Sequence, residues 1–197
     1  MESASIPVVE TGNLTADPVD IVVGFSNHAA ALEMMVHLVG SGHRTLGLIG
    51  AAVAGNPLAA DRRCEYDEAG AAHGLTRAPT LTVECSSDLE AGPTAMVRIC
   101  ERQPEVTAIF AVSEVRAIGA LLECQCLGWP VPGRIAIAGF NGAGMGAWLV
   151  PALTTVRIPR QEIGRRAAQM ILDRLKGRAI AEAQVDIGFE LAVRGNA

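Results

Sequence analysis

Short apolar runs rich in β-branched residues alternate along this chain with longer segments in which apolar residues return every three or four positions. A parallel sheet requires that alternation, because each strand must be followed by a crossover that carries the chain back to the same end of the sheet. Strands are expected at residues 6–10, 20–25, 45–50, 80–84, 107–112, 134–139, 154–157 and 185–188. Helices are expected between them, at 27–40, 61–73, 88–102, 114–127 and 159–175. In the first helix Ala31, Met34, Met35, Leu38 and Val39 form the apolar stripe, with Ser26 or Asn27 as its cap and Gly42 as its stop. The last opens on a proline and closes at Gly177. The expected class is α/β, with parallel sheets flanked by helices.

Half of the 197 residues are hydrophobic, enough to bury a sizeable core. The net charge is −5 and the 16 Lys and Arg are scattered, so the broad cationic face that phosphate backbones require is not expected. The longest apolar runs, such as residues 29–32 and 107–112, fall far short of the roughly 20 residues of a membrane helix. Met1–Ser5 carries Glu2 and lacks a basic segment followed by an apolar one, so no secretion signal is expected and the chain reads as cytoplasmic. The five cysteines are odd in number and lack C-x-x-C spacing, which disfavours a disulfide framework or a zinc site. Cys124 and Cys126, two apart on an expected helix, point about 200° from each other. All five read as ordinary buried or half-buried thiols.

Ligands of open parallel sheets gather beyond the carboxyl ends of the strands. Asn141, at the end of Ile135-Ala-Ile-Ala-Gly-Phe-Asn141 and before a turn containing Gly142, Gly144 and Gly146, is placed there. That turn departs from the G-x-G-x-x-G dinucleotide fingerprint. Arg62 and Arg63 open an expected helix after residues 51–60, and either they fork onto a ligand or they form a solvated surface pair. Ser113 and Glu114, where a strand meets its helix, either face the same ligand region or serve as a cap and a first-turn acid. His28, His37, His43 and His73 have no metal-ligand spacing. There is no G-x-S-x-G elbow and nothing nominates a catalytic triad. Trp129 and Trp148 read as packing residues, with sugar stacking as the alternative.

Several segments together resemble the lac/gal repressor family: Gly42-His-Arg-Thr-Leu-Gly-Leu-Ile-Gly50, Glu90-Ala-Gly92, Ala108-Ile-Phe110, Ala117-Ile-Gly-Ala120, Val131-Pro132, Ile135 to Asn141, Leu153-Thr-Thr-Val156 and Gly188-Phe-Glu-Leu191 followed by Arg194-Gly195. They keep the family's order over essentially the whole chain. Ile6-Pro-Val-Val-Glu10, Asn13-Leu-Thr15 and Leu121-Leu-Glu123 are most similar to its gluconate-operon repressor branch, which implies a sugar acid, gluconate among them, as effector.

The resemblance implies a periplasmic-binding-protein-like type I fold, in which two α/β lobes joined by three crossovers hold an effector in their cleft. Residues 1–42 and 157–180 would form a partial N-terminal lobe, and 43–156 with 181–197 a nearly complete C-terminal lobe. The family's helix-turn-helix is absent from these residues, so DNA would be reached only through a missing N-terminal domain. Arg62 matches the family's effector-binding arginine and Asn141 its Asp or Asn after G-F. Ser113 stands where the family usually has Asn, Ser87 near its cleft aromatic, and Glu65 replaces a usual glycine. The implied function is non-enzymatic sensing of a sugar or sugar acid by a homodimer, without cofactor, metal or membrane. Strand edges left by a partial lobe would favour self-association. Two rivals share the pattern: a periplasmic-type solute-binding protein, and a small α/β enzyme using residues 139–146 as a phosphate cradle.

Overall fold

A computed structural model describes residues 6–76, 78–142 and 144–197, without the side chains at 57, 58, 61 and 65. The leader reading on Met1–Ser5 and the Glu65 side chain lie outside the described residues. The elements in chain order are β1 (Val9–Asn13), β2 (Ile21–Phe25), α1 (Asn27–Gly40), β3 (Leu46–Gly50), α2 (Pro57–Ala72), β4 (Thr82–Glu84), α3 (Ala91–Arg102), β5 (Ala108–Ala111), α4 (Glu114–Cys126), β6 (Ala136–Gly142), β7 (Thr154–Arg157), α5 (Arg160–Leu175), β8 (Gln184–Asp186) and β9 (Glu190–Ala192). Short 3-10 turns precede β4 and β7. The α/β class and the parallel pairing are as the sequence predicts.

The chain divides into two compact units and passes between them three times. The first comprises the residues up to Asn27 and Ile158–Phe189. It holds a three-stranded parallel sheet in the order β1-β2-β8, with α5 packed on β1 and β2. Arg174 on α5 bonds Asp20 at the entry to β2 (2.7 Å).

The second unit, His28–Arg157 with Glu190–Ala197, carries six strands in the order β4-β3-β5-β6-β7-β9, all parallel except β9, which runs antiparallel to β7. Strand alternation separates its two faces. Ile49, Ile109, Ala111, Ile137 and Leu153 join residues of α3 and α4 in one buried cluster. On the other face Phe110 and Phe140 lie 6.2 Å apart, and α2 packs there, with Tyr66 donating its hydroxyl to the Leu46 carbonyl (2.5 Å).

Residues 28–42 go with the second unit. Residues 181–189 go with the first, because Val23 pairs with Val185 and so draws β8 onto β2.

Several elements shift from their expected positions. The first strand lies at Val9–Asn13, not 6–10, with Gly12 and Asn13 paired in the ladder. Helix α2 starts four residues earlier than expected, since the Asn56 side chain accepts the Ala59 amide (3.1 Å) ahead of Pro57. Asp88 stays outside α3 and caps it through the Ala91 amide (2.7 Å). Strand β9 has no counterpart among the expected elements.

Cysteine burial is split. Cys100 and Cys124 are buried, whereas Cys64 and Cys126 are exposed, because each sits on the outer face of its helix. Burial pushes the Cys124 thiol up to about 11. None of the described helices is long and apolar enough to cross a membrane.

Candidate functional site

Strands β4, β3, β5 and β6 are mutually parallel, so their carboxyl ends share one edge of the second unit. The four residues singled out from the sequence stand on the segments at those ends: Ser87 after β4, Arg62 on α2 after β3, Ser113 after β5, and Asn141 in the last turn of β6. Each segment is fixed by local chemistry.

Arg62 lies one turn and a half into α2, and its guanidinium carbon sits 4.5 Å from the centre of the Phe140 ring. A cation over an aromatic face is attracted by the ring quadrupole, more so where water is excluded, and Phe140 is fully buried. The next residue, Asn141, has φ 66, in the left-handed region that among non-glycine residues Asn adopts most readily. Arg62 thus sits on the ring of the residue that immediately precedes Asn141.

Ser113 caps α4, its Oγ accepting the Arg116 amide (3.4 Å) and an Arg116 Nη1–H (3.3 Å). Both lone pairs are then engaged, which leaves the hydroxyl a proton to donate. Glu114 is buried, and its Oε1 accepts the Gly146 amide (3.2 Å), tying the turn after β6 to the head of α4. That carboxylate takes an amide a phosphate would need and puts a negative charge beside it, which argues against residues 139–146 as a phosphate cradle. Ser87 is exposed on the segment after β4. Trp129 is half-buried against the core, with Arg134 5.1 Å over its ring, whereas Trp148 is 88% exposed and packs no core of this chain.

One residue that the sequence reading missed is Arg116, in the first turn of α4 and only 3% exposed. Its Nε–H donates to the Ser86 carbonyl and its Nη2–H to the Cys85 carbonyl, both at 2.9 Å. A signal was available. A cation in a helix's first turn opposes the macrodipole, and a lone arginine in an otherwise apolar stretch needs a specific reason to be there. The Asp88 carboxyl is held below its usual range, first by the Ser86 hydroxyl, then by the Ala91 amide, with a smaller contribution from Arg116.

Residues 35–195 match the periplasmic binding protein-like domain family. The chain is 33% identical over 196 residues to the HTH-type transcriptional regulator GntR of Escherichia coli (strain K12), covering all of this chain and 58% of that protein. Among solved structures it superposes on transcription regulator GntR from Chromobacterium violaceum with a TM-score of 0.89 at 35% identity, over 95% of this chain and 69% of that one. It also superposes on a transcriptional regulator CelR–cellobiose complex with a TM-score of 0.84 at 25% identity, over 98% of this chain and 60% of the other. The chain thus spans about 58% of the curated relative's length. It belongs to the periplasmic binding protein-like domain family and matches the effector-binding region of the LacI-type transcriptional regulators.

Proposed function

We propose that this chain senses a small sugar or sugar acid, gluconate among the candidates, at the strand ends of its second unit, and acts as a regulator rather than an enzyme. One observation carries the reading: Arg62, held over Phe140, and the left-handed Asn141 beside that ring present a guanidinium and a carboxamide at one strand end. Ligand hydroxyls and carboxylates are matched by that pair of groups. Ser113 and Ser87 border the same edge and supply further hydroxyls. Cellobiose in the CelR complex is a sugar of the same chemical class.

In this reading effector binding shifts a conformational equilibrium, and DNA is reached through a helix-turn-helix outside these residues. The regulator works as a homodimer. Trp148, Val150 and Met145 are 88%, 83% and 64% exposed, and Gln125 of α4 donates to the Val150 carbonyl (2.6 Å), so this apolar segment adjoins the half-exposed Leu122 on α4. A cluster of large apolar side chains left in water marks a surface for a second protein, and a second copy is the simplest occupant.

Titration calorimetry of the purified chain against gluconate and a panel of neutral sugars, with Arg62→Ala as control, tests the sensing role. Saturable binding lost in the variant supports it. A folded chain that binds none of these ligands overturns it.

A further inference from the structure

The buried guanidinium of Arg116 reaches beyond its own helix. It faces two carbonyls on the segment after β4 and one hydroxyl at the end of β5, with bonds that span 30 and 31 residues of sequence. A buried guanidinium is costly unless its N–H groups are bonded, and it is a rigid fork, so its partners are held in direction as well as distance.

The other end of the same segment is fixed by backbone contact. A Cβ on Gly92 would fall 2.2 Å from the Arg116 carbonyl oxygen, and a Cβ on Gly119 would fall 2.2 Å from the Leu89 carbonyl oxygen. Helices α3 and α4 therefore touch through paired glycines, and residues 85–90 are pinned to α4 at both ends. Ser87 lies between those pins, exposed, with no buried side chain of its own to place it.

We propose that Arg116 is a positioning residue for the effector: it sets the direction of the Ser113 hydroxyl and the reach of Ser87 without touching the ligand. This rests on the sensing role proposed above. Arg62 and Asn141, set by α2 and β6, do not depend on it.

The test combines binding with a readout that needs no effector. Gluconate affinity is measured by calorimetry for the parent chain, Arg116→Met, Arg116→Lys, Ser87→Ala, Arg62→Ala and the double variants. In parallel, alkylation of the half-buried Cys85, whose carbonyl Arg116 holds, is followed by peptide mapping. Arg116→Met is expected to weaken gluconate binding about tenfold or more and to accelerate Cys85 alkylation several-fold. Ser87→Ala then costs nothing further in that background, while Arg62→Ala keeps its full effect. Arg116→Lys restores only part, because one ammonium cannot meet three diverging acceptors, and it serves for every readout if the methionine variant does not fold.

An unchanged Cys85 rate overturns the proposal. So does weakened binding in which Ser87→Ala keeps its full effect, since Arg116 would then be structural only. If the parent chain binds no gluconate, the sensing role fails, and the Cys85 rate alone decides whether Arg116 holds the segment.

Discussion

The guanidinium of Arg62 lies 4.5 Å from the ring centre of Phe140, and that ring lies 6.2 Å from Phe110 on the same face of the sheet. Arg62 is thus seated on the aromatic core of its unit. A double-mutant cycle between Arg62→Met and Phe140→Leu, read by urea unfolding, should give a coupling of about 0.5–2 kcal/mol, the range for a cation over a ring. Additivity within about 0.3 kcal/mol would show that the two side chains do not interact.

Asn141 separates backbone from side-chain effects. Because its φ is 66, Asn141→Gly should leave the urea midpoint almost unchanged, whereas Asn141→Val should cost about 1–2 kcal/mol. Gluconate binding should be lost in both. A glycine variant that binds like the parent would remove the carboxamide from the site.

Two helical glycines should respond in opposite directions to the same substitution. Gly119→Ala would drive a Cβ to 2.2 Å from the Leu89 carbonyl oxygen and 2.8 Å from Pro93 Cδ, and should destabilise by about 1–3 kcal/mol as α3 is pushed off α4. A Cβ at Gly164 on α5 meets nothing within 4 Å, so Gly164→Ala should stabilise by about 0.5–1 kcal/mol. Equal responses in equilibrium unfolding would contradict the glycine contact.

These glycines show where the sequence was legible. Glu90-Ala-Gly92 and Ala117-Ile-Gly-Ala120 are visible as family segments, but their cause, the close approach of Gly92 to the Arg116 carbonyl and of Gly119 to the Leu89 carbonyl, joins parts of the chain distant in sequence and only the fold reveals it. The strands read well because burial on both faces writes continuous apolar runs such as Ile21–Phe25. β9 did not, being a three-residue edge strand, too short to show a period, that follows the left-handed Gly188. The position of Asn141 at the end of a strand was legible from the apolar run before it, whereas the seat of Arg62 over Phe140 was not, because the two are 78 residues apart. Arg116 left only the mark of a cation in a helix's first turn, and its carbonyl partners on the segment after β4 carry no mark in a sequence.

The exposed Trp148 gives the dimer a direct test. Sedimentation equilibrium of the chain should show a dimer, and Trp148→Glu should weaken association at least tenfold, since it places a charge where an apolar surface must be desolvated. Its urea midpoint should stay near that of the parent under monomeric conditions, because an 88% exposed side chain holds little of the fold. A parent chain that is monomeric at tens of micromolar would sink the homodimer.

His43 links stability to pH in a window the carboxylates do not share. Burial, and then the charge of His37, hold its pKa below the ordinary 6.5, and its Nδ1 lies 3.0 Å from Thr107 Oγ1. The unfolded chain therefore takes up this proton before the folded one. The contribution to stability is complete above pH 6.5 and is lost as pH falls from there through the lowered folded value. Asp88, Glu162 and Asp173 are also held below their ordinary values of 3.8 to 4.5, by the Ser86 hydroxyl, the Arg165 guanidinium and the Gln169 amide first, so their losses begin only near pH 4.5. Urea midpoints between pH 7.5 and about 5 should decline in the parent and flatten in His43→Gln, which keeps a neutral polar group beside Thr107. A variant that declines in parallel with the parent would assign the proton to another group.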